Sequence, residues 1–420
     1  YRSSRHIIDC ANQLIQHNQD RMKTNHEIRV NDSRRDDPAG GRWAELDPVT
    51  GGRVQVLEVS GPRRQAAALA DEIERLRRLD KHLQWSDCAV LARTREALHP
   101  VRALLERRGL PVRWPVDRDK APPLHRVREI AAFLESLKAR GKEQCTAAEL
   151  LSALQDRFSA DRENMWIRLM TDSLVDFQAE TADQRQPVAR AIEYLYEAFT
   201  EQRRDHTLGQ GIHLSTVHGA KGMEFNHVFM LDDGWAGGRN LQAAEEERRT
   251  YYVGMTRARE TLCLLACRGR KNPYVRLLPK DAAVWRLAAG ADDASAWGAD
   301  RRYELLGLQD IYLSFAARYP AQHKVHAHLA KLQPGAAVTL VARGGRVEVM
   351  VGEDCCVTQL SKAAANLWSP RLKQIERVQV VGMIVRHRSD SEESFHSACA
   401  CDSWEVPWLE VQYRVATSHG

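Results

Sequence analysis

Several absences narrow the reading first. None of the nine cysteines falls at C-x-x-C spacing. That argues against a zinc ribbon, and the odd count in 420 residues argues against a disulfide framework, so a reducing cytosol fits best. Lysine is scarce, at 12 of the 61 cationic side chains, so arginine carries the positive charge. Neither sign dominates: 61 Lys+Arg against 56 Asp+Glu leaves +5. A polybasic tail is thereby excluded, while bidentate phosphate contacts through Arg are allowed. No apolar run approaches the ~20 residues of a membrane helix, and no signal-like segment precedes the first polar residues. The chain opens on Tyr1 rather than Met, which reads as a fragment or a processed piece. No G-x-x-x-x-G-K-[ST] occurs either, since Gly141-Lys142 runs into Glu143. The chain therefore has no phosphate cradle of that kind, whose Lys meets phosphates and whose Ser/Thr holds Mg²⁺.

What is present is ordinary globular composition, 43% hydrophobic and 28% charged, enough for two to four domains. Ile7, Ile8, Ala11, Leu14 and Ile15 recur on one helical face behind Ser3 and Ser4. Residues 31–52 read as a polar loop. Val54–Val59, 87–91 and 110–113 then read as strands, separated by helices over 62–80 and about 94–108, the second stopped by Gly109. Residues 124–205 read as helical throughout. The strand–helix alternation resumes at 212–215, 227–231, a helix near 245–259, and 261–265. This order predicts an α/β fold, a parallel sheet with covering helices, interrupted by a helical insertion. Residues 281–300, rich in Ala and Asp, read as a linker. Alternating runs at 337–341, 347–351 and 378–381, with a helix at 359–367, predict a small β-rich C-terminal domain over 301–420.

Three blocks carry chemistry. They are Tyr1-Arg2-Ser3-Ser4 with its helix, Ser215-Thr-Val-His-Gly-Ala-Lys-Gly-Met-Glu-Phe225, and Glu245-Glu-Glu-Arg-Arg-Thr-Tyr-Tyr-Val-Gly-Met-Thr-Arg-Ala258. In that order they resemble motifs IV, V and VI of the UvrD/Rep-type superfamily 1 DNA helicases. Val90-Leu-Ala-Arg-Thr-Arg95 is similar to motif IVa, with Ala92 where an aromatic usually stands. The resemblance covers roughly 1–115 and 211–275. It implies the second of two RecA-like motor domains, with 1–115 as its first part, 116–210 as a reduced accessory subdomain and 211–280 as its second part.

By the same resemblance, Arg257 and Arg2 serve as fingers on the γ-phosphate, Tyr1 stacks on adenine and Glu224 accepts from the ribose hydroxyls. Lys221 touches phosphate or caps a turn. Thr216, His218 and Arg93 meet single-stranded DNA. ATP and Mg²⁺ are then held mainly by an N-terminal RecA-like domain bearing the phosphate loop, which stands as a partner to this chain, and no metal site belongs to the chain itself. A planar, permanently charged guanidinium suits the finger role, because hydrolysis needs cations that arrive as the cleft closes.

Each residue also has a plainer reading. Arg257 could complement the end of its helix, and Arg248 and Arg249 read as ion pairs with Glu245–Glu247. Val228–Asp233 reads as an ordinary strand end. His323, His326 and His328 with Cys399 and Cys401 match no standard zinc spacing. Trp404 and Trp408 read as core, and no Asp … Asp-x-Lys nuclease arrangement occurs in 300–420. The resulting expectation is the C-terminal motor portion of a cytoplasmic ATP-dependent DNA helicase, inactive by itself. The alternative is a non-catalytic remnant that binds DNA or a partner.

Overall fold

The computed structural model describes residues 2–19, 28–29, 31, 34–116, 118–159, 161, 164–205, 207–288 and 298–415. Two compact units emerge, one from residues 1–115 and 208–301, the other from 116–207 and 302–416.

The first unit is an eight-stranded sheet. Its strands are β1 (Val54–Val59), β2 (Cys88–Ala92), β3 (Val112–Pro115), β4 (Thr207–Gly209), β5 (Ile212–Thr216), β6 (Phe225–Met230), β7 (Ala258–Cys267) and β8 (Ala283–Leu287). They lie in the order β8-β1-β7-β6-β2-β5-β3-β4. The pairings from β8 through β3 are parallel. Parallel sheets are covered on both faces, so their strands read as near-continuous apolar runs. Side-chain alternation divides those runs into two cores. Leu57, Val59, Val90, Phe229 and Leu265 face one core, with α2 (Gln65–Leu79) and α3 (Leu98–Arg107). Val54, Val56, Leu91, Val228 and Leu264 face the other, with α1 (Arg5–Ile15) and Tyr251 and Met255 of the helix Leu241–Met255. In that helix Gly254 allows a close approach to the sheet, since a Cβ there would stand 2.7 Å from Met230 Cε and 3.2 Å from Val217 Cγ2. Gly109, at φ +71°, ends the α3 turn as expected of a left-handed stop.

Residues 281–300 read as a linker in sequence. In the structure part of this stretch, β8, forms an edge of the large sheet, with Trp285 and Leu287 exposed on it. The rest, 289–297, lies outside the described residues.

The second unit combines two stretches that the sequence separates. Helices α4 (Arg128–Lys138), α5 (Ala147–Arg157), α6 (Met165–Thr181) and α7 (Val188–Asp205) join a six-stranded sheet. Its strands are β9 (Arg301–Leu306), β10 (Ala337–Arg343), β11 (Arg346–Val351), β12 (Cys355–Gln359), β13 (Ile375–His387) and β14 (Ser403–Arg414), in the order β9-β14-β13-β10-β11-β12. The pairings from β14 to β12 are antiparallel. Trp166 of α6 lies fully buried against this sheet. Its ring stacks on Trp408 at 5.8 Å, and its indole N–H donates to the Val381 carbonyl at 3.0 Å. Gly382 leaves room for it, because a Cβ there would stand 3.0 Å from the indole nitrogen. Arg126 adds a two-pronged pair with Asp390 at 2.5 and 2.8 Å, and Arg128 reaches Glu405 at 3.3 Å. Trp404 and Trp408 are core side chains, and Trp404 donates to the Leu313 carbonyl at 2.7 Å. The helix over Lys324–Lys331 is capped by His323, whose Nδ1 accepts from the Val325 N–H at 3.2 Å.

Candidate functional site

The parallel strands send all their C-terminal ends to one edge of the large sheet and their N-terminal ends to the other. The sequence-derived candidates divide between these edges.

At the N-terminal edge, β6 and β7 begin side by side, with Phe225 paired to Ala258 and the Phe225 N–H bonded to the Arg257 carbonyl at 2.8 Å. Glu224 and Arg257 thereby become neighbours. Arg257 follows the last turn of the helix Leu241–Met255, which we label α8. Its guanidinium is half-buried and folds onto neutral acceptors. Nε donates to the Val253 carbonyl at 3.0 Å, Nη1 to the Met223 carbonyl at 3.0 Å and Nη2 to Thr256 Oγ1 at 3.2 Å. Among the described residues no carboxylate pairs with it. Glu224 is engaged through one oxygen, Oε2, which accepts from Arg259 Nε at 2.9 Å and Nη2 at 2.7 Å. Exposed Arg2 lies 3.9 Å from the same oxygen. Arg34 braces this edge, donating to the Arg2 and Arg259 carbonyls at 2.5 and 3.1 Å and pairing with Glu260 at 3.1 Å. Tyr1 lies outside the described residues.

At the C-terminal edge, Ala92 pairs with Thr216, so Arg93 emerges beside the turn that follows β5. That turn is tight. The Ala220 N–H donates to the Thr216 carbonyl at 3.0 Å, and the Gly219 N–H to Thr216 Oγ1 at 3.1 Å. His218 is exposed. Lys221 is exposed in the same turn, where its backbone N–H donates to the His218 carbonyl at 3.2 Å. Arg93 is half-exposed, with Nη1 bonded to the Gly234 carbonyl at 3.0 Å and paired with Glu247 Oε1 at 3.0 Å. Asp233 Oδ2 holds the N–H and hydroxyl of Thr94, each at 2.7 Å. Buried Asp232 accepts from the Cys267 N–H at 2.8 Å, and burial pushes its carboxyl above the usual range. The Asp232-Asp233 pair thus braces the end of its strand.

One finding differs from the sequence reading. Arg248 bonds the His17 carbonyl at 3.0 Å and Asn18 Oδ1 at 2.5 Å, tying α8 to the end of α1, rather than pairing with the acidic run. Arg249 does pair with Glu245, at 3.5 Å. Sequence reasoning also passed over Arg259, Glu247 and Arg34. Arg259 left a signal, since it lies two residues after Arg257 at the start of a strand, and period-two spacing puts both on one side. Glu247 was hidden inside a run of three glutamates. His213 and His227 are buried, and their loss of hydration pulls their pKa values down to about 4 and about 3. Their contacts, Phe225 stacked on His213 and Thr261 with Trp43 around His227, are structural. Among the described residues no cluster of three His, Cys, Asp or Glu is placed to hold a metal ion.

Comparison with known proteins agrees with the motifs. Residues 124–269 match the family described as UvrD-like helicase C-terminal domain. This part of the chain is UvrD-like. Among curated proteins, ATP-dependent DNA helicase UvrD2 of Mycobacterium tuberculosis H37Rv is 47% identical over 64 residues, 13% of this chain and 9% of that protein. UvrD1 of the same strain is 31% identical over 166 residues, 35% of this chain and 20% of the relative. ATP-dependent DNA helicase Rep of Escherichia coli K12 is 30% identical over 89 residues, 18% and 13% of the two chains. The matched stretches therefore span between 9% and 20% of these relatives' lengths. A solved structure, the C-terminal domain of a possible DNA helicase from a Lactobacillus strain, WCFS1, aligns at TM-score 0.31 and 13% identity over 68% of this chain and 98% of that one. The UvrD-like segment contains β5, β6, α8 and all of β7, and so both the turn after Thr216 and Arg257.

Proposed function

We propose that this chain is the C-terminal motor portion of an ATP-dependent, single-strand-translocating DNA helicase. In this reading its large sheet is the second RecA-like domain. The N-terminal edge faces nucleotide and the C-terminal edge faces DNA. The observation that carries the reading is Arg257, a half-buried guanidinium bonded, among the described residues, only to carbonyls and a hydroxyl. Neutral acceptors hold its position without cancelling its charge, so an incoming phosphate can pair with it ion to ion, in the two-pronged geometry that suits a guanidinium. Arg2, exposed and 3.9 Å from Glu224, adds a second cation.

The residues present fit part of an ATP molecule. Arg257 and Arg2 would meet the γ-phosphate, Glu224 the ribose and Tyr1 the adenine, whereas Lys221 lies in the turn after Thr216 and belongs with the other edge. Mg²⁺, which neutralises charge on the phosphates, would be held mainly by an N-terminal RecA-like domain with its phosphate loop. At the other edge, Thr216, His218 and Arg93 would bind the strand through its phosphates and sugars, contacts that position without reading sequence.

The test is DNA-stimulated ATPase in an assembly joining this chain to a phosphate-loop domain, in one polypeptide or two. Arg257→Ala is expected to lower turnover by about 10³–10⁵, the worth of an arginine finger in phosphoryl transfer. Normal turnover in that variant would overturn the assignment. The second reading, a DNA-binding module without hydrolysis, is favoured by Ala92, which removes a stacking ring. It expects single-strand binding in an assembly that shows no DNA-stimulated ATPase.

A further inference from the structure

The ion pair at the C-terminal edge has an architecture that the proposed DNA role does not by itself require. Glu247 stands early in α8 and is buried, yet three donors converge on its carboxylate. Oε2 accepts from the Gly237 N–H at 2.6 Å and from the Tyr274 hydroxyl at 2.8 Å, while Oε1 meets Arg93 Nη1 at 3.0 Å. Gly234 closes the far side, its carbonyl 3.0 Å from the same Nη1. The socket therefore grips one nitrogen of the guanidinium. Nε and Nη2 of Arg93 make no hydrogen bond among the described residues, and the side chain is 48% exposed. A long, rotamer-rich side chain is thus held at one corner while its remaining donors stay in solvent beside the Thr216 turn.

We infer that Glu247 is a positioning residue for a nucleic-acid phosphate. It orients Arg93 so that the free nitrogens of the fork meet the backbone of a single strand, and its own burial in α8 fixes that orientation to the helix that ends beside Arg257. The inference rests on the DNA-facing reading of this edge. A paired carboxylate can act in either of two ways, as a competitor that sequesters the arginine or as a support that aims it. The geometry favours support. Glu247 is already satisfied by Tyr274 and Gly237, and it engages a single nitrogen, so Arg93 need not leave it to bind an anion. Pre-ordering the side chain also removes part of the entropy cost of binding.

The experiment is anisotropy of a labelled oligo-dT of about 20 nucleotides titrated with the full chain across a range of salt. Arg93→Ala is expected to weaken binding about threefold to tenfold and to lower the log–log salt slope by about 0.7, one phosphate contact on a single strand. Glu247→Gln, which keeps shape and accepting oxygen, is expected to do the same. The double variant should then be no weaker than either single variant. Arg93→Lys guards against a folding defect in Glu247→Gln. It keeps the charge and the pair with Glu247 but lacks the fork, so it should bind as weakly as Arg93→Ala. Wild-type or tighter binding by Glu247→Gln, additive losses in the double variant, or full binding by Arg93→Lys would each overturn the inference while leaving the DNA reading intact. Wild-type binding by Arg93→Ala together with Thr216→Val and His218→Ala would overturn the DNA reading itself.

Discussion

At the N-terminal edge of the parallel sheet, Arg257 rests half-buried on two carbonyls and a hydroxyl. At the C-terminal edge, Arg93 is clamped by a buried carboxylate and left half in solvent. The residue type is the same and the sheet is the same, yet the electrostatic states differ. The first arginine keeps an uncancelled charge in a partly desolvated place, where Coulomb interactions are stronger than in water. That suits a group whose counter-charge arrives only at one stage of a cycle. The second is paired through one nitrogen and aimed, which suits a persistent contact with a chain of phosphates. α8 touches both, since Glu247 lies on its second turn and Arg257 just beyond its end.

The largest effect that should separate the edges is acid. His213 and His227 lie in β5 and β6, near the strand starts, and are neutral when folded, with pKa values pulled by burial to about 4 and about 3 from 6.5. Between those values and 6.5 the unfolded chain binds more protons, so stability is full above pH 6.5 and falls as pH drops toward the folded values. At pH 5 each histidine should cost about 2 kcal/mol, at 1.36 kcal/mol per unit. The urea midpoint at pH 5 against pH 7.5 measures this, and His213→Gln with His227→Gln should flatten the profile. A flat wild-type profile would show that these side chains are not excluded from water.

Next in size is Gly219→Ala. A Cβ at that position would stand 2.6 Å from Ser215 Oγ and 3.3 Å from Thr216 Oγ1, so the turn must open. Single-strand affinity of the chain, read by anisotropy, should fall about tenfold, near 1.4 kcal/mol. Unchanged affinity would remove the turn from the DNA edge. The smallest effect belongs to Arg259→Ala, which releases Glu224 from its partly exposed ion pair. Exposed pairs are worth about 0.2–1 kcal/mol. In the ATPase assembly KM for ATP should therefore rise by no more than about fivefold, with kcat little changed. A collapse of kcat instead would place Arg259 among the groups that touch phosphate.

Much of the first unit was legible because its signals are local. The apolar runs at Val54–Val59 and Cys88–Ala92 declare buried parallel strands, and Ile7, Ala11 and Leu14 declare the inward face of α1. The resemblance grouped Glu224 with Arg257 and Arg93 with Thr216 by expected ligand, and strand register places each pair side by side. The second unit was less legible because its organisation is non-local. Nothing in residues 116–207 says that Trp166 stacks on Trp408, more than two hundred residues on. β14 was missed because Pro407 interrupts it, and the chain accommodates that proline beside a register shift between Val380 and Gly382 on β13. Glu247 was invisible for a third reason. Three consecutive glutamates look alike in sequence, and only the packing of α8 turns Glu245 and Glu247 inward while leaving Glu246 exposed.

Hydrogen exchange of the chain with and without oligo-dT would test most directly the assignment of the two edges to different ligands. Protection confined to the segments around 93–95 and 216–222, with 223–225 and 256–260 unchanged, is the result expected. Protection centred on Glu224 and Arg257, with the turn after Thr216 unaffected, would contradict the division of the sheet into a nucleotide edge and a DNA edge.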